Sequence, residues 1–293
     1  MRVSLDESSV TTDSPNTRAP PGRTLCGPTY MGEVHMRLRA TAAVSFGALA
    51  LAGLSVPAAQ ATEITPFDAG SGNTKITKVV VDGDNKVAMT TNAAKTVSVS
   101  VTATDNSGIA GAEEFTLVGP DYGFEITGKP VCKVVNATTS TCTASVKVDP
   151  RTDFYSNKNA GTWYVDAWID AKDGDFVWKE KAGAFHFQRA SKLTTNAAPE
   201  PVKKGKTLTV TGSLTRANWE SLKYGGYGSQ SVKLQFKKKG STTWSTLKTV
   251  KTSSSGGLKT TVKASADGYF RYTFAGNSTT AAVTSAADFV DVK

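Results

Sequence analysis

The stretch Thr96-Val97-Ser98-Val99-Ser100-Val101-Thr102-Ala103-Thr104-Asp105 decides the fold class. Small apolar and hydroxyl side chains alternate with a period of two. That places Val97, Val99, Val101 and Ala103 on one face of an extended strand and the Ser and Thr residues on the other. The stretch runs into Asp105-Asn106-Ser107-Gly108, a cluster able to supply tight-turn or left-handed geometry.

The same pattern repeats on both sides. Residues 75–81, 113–118, 141–148, 163–171 and 176–187 are rich in Val, Ile, Thr and aromatics. Asp82-Gly83-Asp84-Asn85 and Lys172-Asp173-Gly174-Asp175 punctuate them as turns. Residues 149–153 are expected to open a single helical turn before Gly161 and Trp163 resume the strand pattern. After the turn-prone segment 196–201, further strands are expected at 207–214, 231–238, 244–251, 258–263, 269–274 and 289–292. Helical periodicity is nearly absent, and short strands spaced by such turns read as antiparallel β-sandwiches.

Upstream, residues 1–35 are rich in Ser, Thr and Pro, and Met36 is read as the true start. Arg37 and Arg39 precede a 15-residue apolar run, 42–56, and Ala59-Gln60-Ala61 offers a small-x-small cleavage site. Residues 36–61 therefore read as a signal peptide cut after Ala61, on the general secretory route. The run is shorter than the roughly 18 residues that span a bilayer, so no transmembrane segment is expected in the exported chain. Removing 61 of the 293 residues leaves 232, enough for two domains, expected at 62–189 and 190–293.

Cys26 lies in the discarded leader, so Cys132 and Cys142 are the only cysteine pair left in an exported chain and are expected to form a disulfide. Charge divides at the same boundary as the domains. Residues 62–189 carry 13 Lys+Arg against 16 Asp+Glu, a net of −3, and residues 190–293 carry 16 against 5, a net of +11. A split of that kind can mark a polyanion-facing surface.

In the second half, Gly205-Lys206-Thr207-Leu208-Thr209-Val210-Thr211-Gly212, Tyr227 with Val232-Lys233-Leu234, Gly240 to Trp244, and Asp267-Gly268-Tyr269-Phe270-Arg271-Tyr272 with Gly276 resemble bacterial Ig-like repeats of exported actinobacterial proteins. The first half is similar to another such module through Val99–Asp105 and Gly161-Thr162-Trp163-Tyr164-Val165. The resemblance implies two immunoglobulin-like β-sandwich domains in tandem, outside the cell, and no reaction. Some relatives of this arrangement are loosely named calcium-binding proteins. Neither module has an antibody-type Cys…Trp…Cys spacing.

Nucleophile-and-base chemistry needs a histidine, and residues 62–293 hold one, His186, flanked by Phe185 and Phe187. Alternation turns it away from the two rings, toward solvent or a domain interface. Glu113 and Glu114 are adjacent on a strand and point apart, which does not suit a glycosidase pair. The chain is expected to be non-catalytic. A hydrolase on a sandwich scaffold is the alternative, and it would need convergent carboxylates.

Calcium is the cofactor that the acidic turns of the first half admit, through Asp82, Asp84, Asp105, Asp170, Asp173 and Asp175. Their spacing is not that of an EF-hand, but loops at one sandwich end can converge on an ion. Asp and Gly also simply make turns. For partners, the basic half offers Lys203-Lys204-Gly205-Lys206 and Lys237-Lys238-Lys239 to an anionic cell-wall polymer. The aromatic, glycine-rich connection 216–230 offers Trp219, Tyr224 and Tyr227 to a glycan or another secreted protein. Trp219 and Tyr227 can equally fold back as a lid on the core. No motif for sequence-specific nucleic-acid binding accompanies the lysines.

Overall fold

The computed structural model describes residues 67–293, and the expected leader and signal peptide lie outside them. The first half contributes ten strands: β1 (Asp68–Gly70), β2 (Lys75–Val81), β3 (Lys86–Met89), β4 (Lys95–Thr104), β5 (Ile109–Val118), β6 (Gly123–Glu125), β7 (Val131–Asn136), β8 (Thr139–Val148), β9 (Gly161–Ala171) and β10 (Phe176–Arg189). One sheet has the order β2-β4-β8-β7, and the facing sheet runs β10-β9-β5-β6, with β1 and β3 both paired to β10. All these pairings are antiparallel except that of β3 with β10. Four strands facing a β10-β9-β5-β6 sheet, with a short parallel strand on β10, is an immunoglobulin strand order.

Alternation explains the core. Val97, Val99, Val101 and Ala103 of β4 are fully buried, and Trp163, Val165, Ala167 and Ile169 of β9 meet them from the other sheet. Trp163 is also fully enclosed, so its indole N–H needs an internal acceptor. It donates to the Asn159 carbonyl at 2.8 Å, in a 3-10 turn, Asn157–Asn159, capped by Ser156. The expected single helical turn at 149–153 is present, with Asp153 N donating to Asp149 O at 2.8 Å, and the 3-10 turn follows it. Cys132 and Cys142 sit opposite each other on β7 and β8 and form a disulfide within one sheet.

The second half adds β11 (Ser191–Leu193), β12 (Asn196–Ala198), β13 (Thr207–Asn218), β14 (Lys223–Gly226), β15 (Ser231–Lys238), β16 (Ser245–Lys251), β17 (Gly257–Lys263), β18 (Gly268–Phe274), β19 (Val283–Thr284) and β20 (Asp288–Val290). β13 is the hub of one sheet and pairs with β11, β12, β14 and β17. The other sheet runs β16-β15-β18, with β19 and β20 both on β18. Leu208, Val210, Leu214, Val232, Leu234, Tyr272 and Val290 fill the core between them.

One residue, Ala190, separates β10 from β11, and the two sandwiches meet around that joint. Arg189 is buried there, its Nε donating to the Ala217 carbonyl and its N–H to Thr279 O at 3.0 Å. Burial first, then neighbouring Arg216, pulls its guanidinium down to about 10. The expected insert at 216–230 is in part strand. β13 runs on to Asn218, turns, and returns as β14. That hairpin carries Trp219 across the joint into the core of the first sandwich. There its ring stacks on Phe154 at 4.3 Å between centroids.

Candidate binding surfaces

Three loops converge at one end of the first sandwich: 71–74 before β2, 105–108 after β4, and 172–175 between β9 and β10. Carboxylate oxygens of Asp105, Asp173 and Asp175 lie within 4.8 Å of one another. Asp105 is buried and accepts from the Thr74 hydroxyl at 2.8 Å and from the Ser107 N–H and hydroxyl at 2.8 and 2.6 Å. The Ser107 hydroxyl above all holds the Asp105 carboxyl below its ordinary value, against the opposing effect of burial. Asp175 accepts from Ser71 at 3.2 Å, and its own N–H donates to Asp173 Oδ1 at 3.2 Å. Gly72, at φ +61°, is where the loop touches this cluster, because a Cβ there would stand 1.4 Å from Asp175 Oδ2.

The other three acids of the expected set are elsewhere. Val81 pairs with Val99 and Lys75 with Thr104, so Asp82 and Asp84 lie at the opposite end of the β2–β4 ladder from Asp105. Asp82 is bound by Lys95 at 2.5 Å, and Asp84 accepts the Lys86 N–H at 3.0 Å. Asp170 accepts the Trp168 indole N–H at 2.9 Å. The donor set at the converging loops is all oxygen, the kind a hard cation takes, with at most a few lone pairs beyond those already engaged.

In the second sandwich, the outward face of the β16-β15-β18-β20 sheet is basic and aromatic. The Arg271 guanidinium lies over Trp244 at 3.8 Å, and its Nε donates to Gln235 at 2.9 Å. Lys237 reaches both Trp244, at 5.2 Å, and Tyr269, at 5.1 Å. Tyr269 contacts Phe289 at 5.1 Å, and Lys239 lies over Phe289 at 5.5 Å and 3.6 Å from Asp267. Lys238 is exposed between the two lysines. The run Lys237-Lys238-Lys239 alone pointed here. Tyr269 and Arg271 are legible only through their alternation with buried Phe270 and Tyr272.

Of the aromatic connection, Trp219 is 2% exposed and cannot present itself to a ligand, which corrects that expectation. Its indole faces the Met89 carbonyl at 3.5 Å, and the core it closes is its neighbour's rather than its own. Tyr224 is covered by Lys192 at 4.0 Å and Tyr227 by Arg216 at 3.9 Å, and the Tyr227 hydroxyl accepts from Asn277 at 2.9 Å. His186 lines a hollow of about 250 Å³ at the joint with Lys86, Gln188 and Asn277, its Nδ1 3.4 Å from Thr162 Oγ1. Glu113 pairs with Lys129 at 2.6 Å, whereas Glu114 stands opposite Trp168 on the sheet face.

Among the described residues no helix is long and apolar enough to cross a membrane. No family model and no curated protein matches the chain. Among solved structures, three N-terminal domains of the bacteriophage RB49 highly immunogenic outer capsid protein are 10% identical over 75% of this chain and 71% of their own, with a TM-score of 0.27. The human OSCAR ligand-binding domain is 12% identical, covering 72% and 96%, with a TM-score of 0.24. The D00-D0 domain of intimin is 9% identical, covering 73% and 99%, with a TM-score of 0.25. Likeness at that level carries no inference, and the immunoglobulin-like description rests on the strand pairing.

Proposed function

We propose that the protein is an exported, non-catalytic binding module of the cell envelope, built of two domains that divide after Arg189. Its second domain holds an anionic polymer on the outward face of the β16-β15-β18-β20 sheet. The observation that carries this reading is the set of cations held over rings on that face: Arg271 and Lys237 over Trp244, and Lys239 over Phe289. Ring contacts restrict the long side chains before any ligand arrives, which lowers the ordering cost of binding. The surrounding net of +11 supplies long-range attraction that salt screens. The test is retention of the protein on cell walls that carry teichoic acid, compared with walls stripped of it. Retention only on the former supports the reading, and equal retention on both sinks it.

The cluster of Asp105, Asp173 and Asp175 favours a second reading, in which calcium rigidifies the loop end of the first domain without taking part in chemistry. Water would complete the six to eight oxygens that calcium takes. A saturable rise in melting temperature with calcium, lost in Asp173→Ala, supports it. No rise at millimolar calcium would end it, since a ligand of the folded state alone must stabilise by mass action.

A further inference from the structure

The first sandwich carries an aromatic surface of a different chemistry from the basic face. On the outward side of β9 and β10, Trp168 and Trp178 stand directly opposite each other in register, with Phe176 two positions before Trp178. The Trp168 and Phe176 rings lie within 25° of parallel at 5.6 Å between centroids, and Trp168 and Trp178 are 5.9 Å apart. Phe67, 62% exposed, closes one side of a shallow groove of about 380 Å³. Ala69 pairs with Trp178 and is small enough to leave its ring open. The Trp168 indole is fixed by its hydrogen bond to Asp170. None of these rings fills the core, because the inward positions of the same strands hold Trp163, Val165, Ala167, Ile169, Phe185 and Phe187.

We propose that this groove binds the sugar rings of an uncharged oligosaccharide. The near-parallel Trp168 and Phe176 rings, with Trp178 tilted by 58° beside them on an open surface, suit the apolar C–H faces of pyranose units, and carboxylates at the rim suit their hydroxyls. Glu114 lines the groove opposite Trp168, with Thr116 engaging only its Oε1, at 2.8 Å. Asp166, Asp170 and Glu180 lie on the neighbouring outward positions, while Lys179 is drawn toward Asp68 at 3.4 Å and Lys181 toward the Tyr164 ring. An anionic polymer is therefore opposed here, in contrast to the second sandwich. A peptide adding as a strand is excluded from the nearby edge, because β1 and β3 already pair with β10. A second copy of the chain would need roughly 800 Å² per partner, far more than a groove of four rings and their rim supplies.

The test is titration of the protein with cellohexaose and with chitohexaose, followed by intrinsic tryptophan fluorescence and calorimetry. One hexaose is expected to bind saturably, and Trp168→Ala and Trp178→Ala are each expected to weaken it about tenfold or more. Glu114→Gln, which leaves the rings in place, is expected to weaken binding too, while Lys237→Ala on the other sandwich leaves it unchanged. Near-UV circular dichroism and the melting temperature establish that each variant is folded. Binding of neither hexaose at millimolar concentration overturns the proposal, as does undiminished binding in folded Trp168→Ala. Self-association of the protein that Trp168→Ala abolishes also overturns it, by showing that the groove serves a second copy.

Discussion

Trp219→Ala tests how the two sandwiches are joined. The side chain is buried to 2% exposure in the core of the first sandwich, although it is carried by the β13–β14 hairpin of the second. Truncation removes the transfer free energy of an indole and leaves a cavity against Phe154, a combination that costs about 3–5 kcal/mol. The stacked contact with Phe154 accounts for about 0.5–1.5 kcal/mol of the effect. The 3.5 Å approach to the Met89 carbonyl is too long to add much. Urea denaturation of the protein and the variant, followed by circular dichroism, reads the difference. The expected result is a loss of about 4 kcal/mol, with the single transition splitting in two as the sandwiches unfold separately. Trp219→Phe, which keeps a stacked ring, is expected to retain most of the stability. A loss below about 1 kcal/mol, the scale of an ordinary surface substitution, would refute the account of Trp219 as the plug of the joint.

Other perturbations address separate parts of the structure. Glu220 accepts from Asn157 N at 2.9 Å and from the Ser156 hydroxyl at 3.1 Å, bonds that hold its pKa below the ordinary value. Its contribution to stability is therefore complete above about pH 4.5 and is lost as pH falls through the lowered value, so the advantage over Glu220→Gln should shrink on acidification. Asp149, brought to about 2 chiefly by the Arg151 hydrogen bond, should show the same sign at lower pH against Asp149→Asn. Reducing the Cys132–Cys142 bond, which closes a short loop of sequence separation 10, should cost roughly 2–3 kcal/mol by denaturant titration and leave the fold intact. Gly72→Ala should lower the melting temperature, because its Cβ would collide with the Asp175 carboxylate from a backbone at φ +61°.

Much of the fold is legible in alternation. Residues 96–105 foretell β4 to within a residue, and the four apolar positions named there are all buried. Short elements such as β3, β7, β11 and β14 escape, because three to six residues carry too little period to register. The disulfide is legible because only two cysteines follow residue 61, and it lies within one sheet, as the short spacing requires. The acidic turns are legible one by one but not as a set. Which turns share an end of the sandwich depends on strand order, and that order gathers Asp105, Asp173 and Asp175 while sending Asp82 and Asp84 to the far end. Trp219 misleads for a similar reason: its burial comes from a partner core more than sixty residues away, at Phe154. The outward parity of Trp168 against Val165, Ala167 and Ile169 was visible in the sequence, yet a strand rich in aromatics reads first as core.

The central claim is that cations ordered on the rings of Trp244, Tyr269 and Phe289 hold an anionic polymer. Binding of dextran sulfate to the protein and to Lys237→Ala/Arg271→Ala, measured from about 50 mM to about 500 mM salt with dextran as the neutral control, tests it most directly. The account predicts saturable binding to dextran sulfate alone, weakening as salt rises, and about tenfold or more weaker in the double variant at low salt. Equal binding by the folded double variant, or binding of dextran sulfate no tighter than that of dextran, would contradict it.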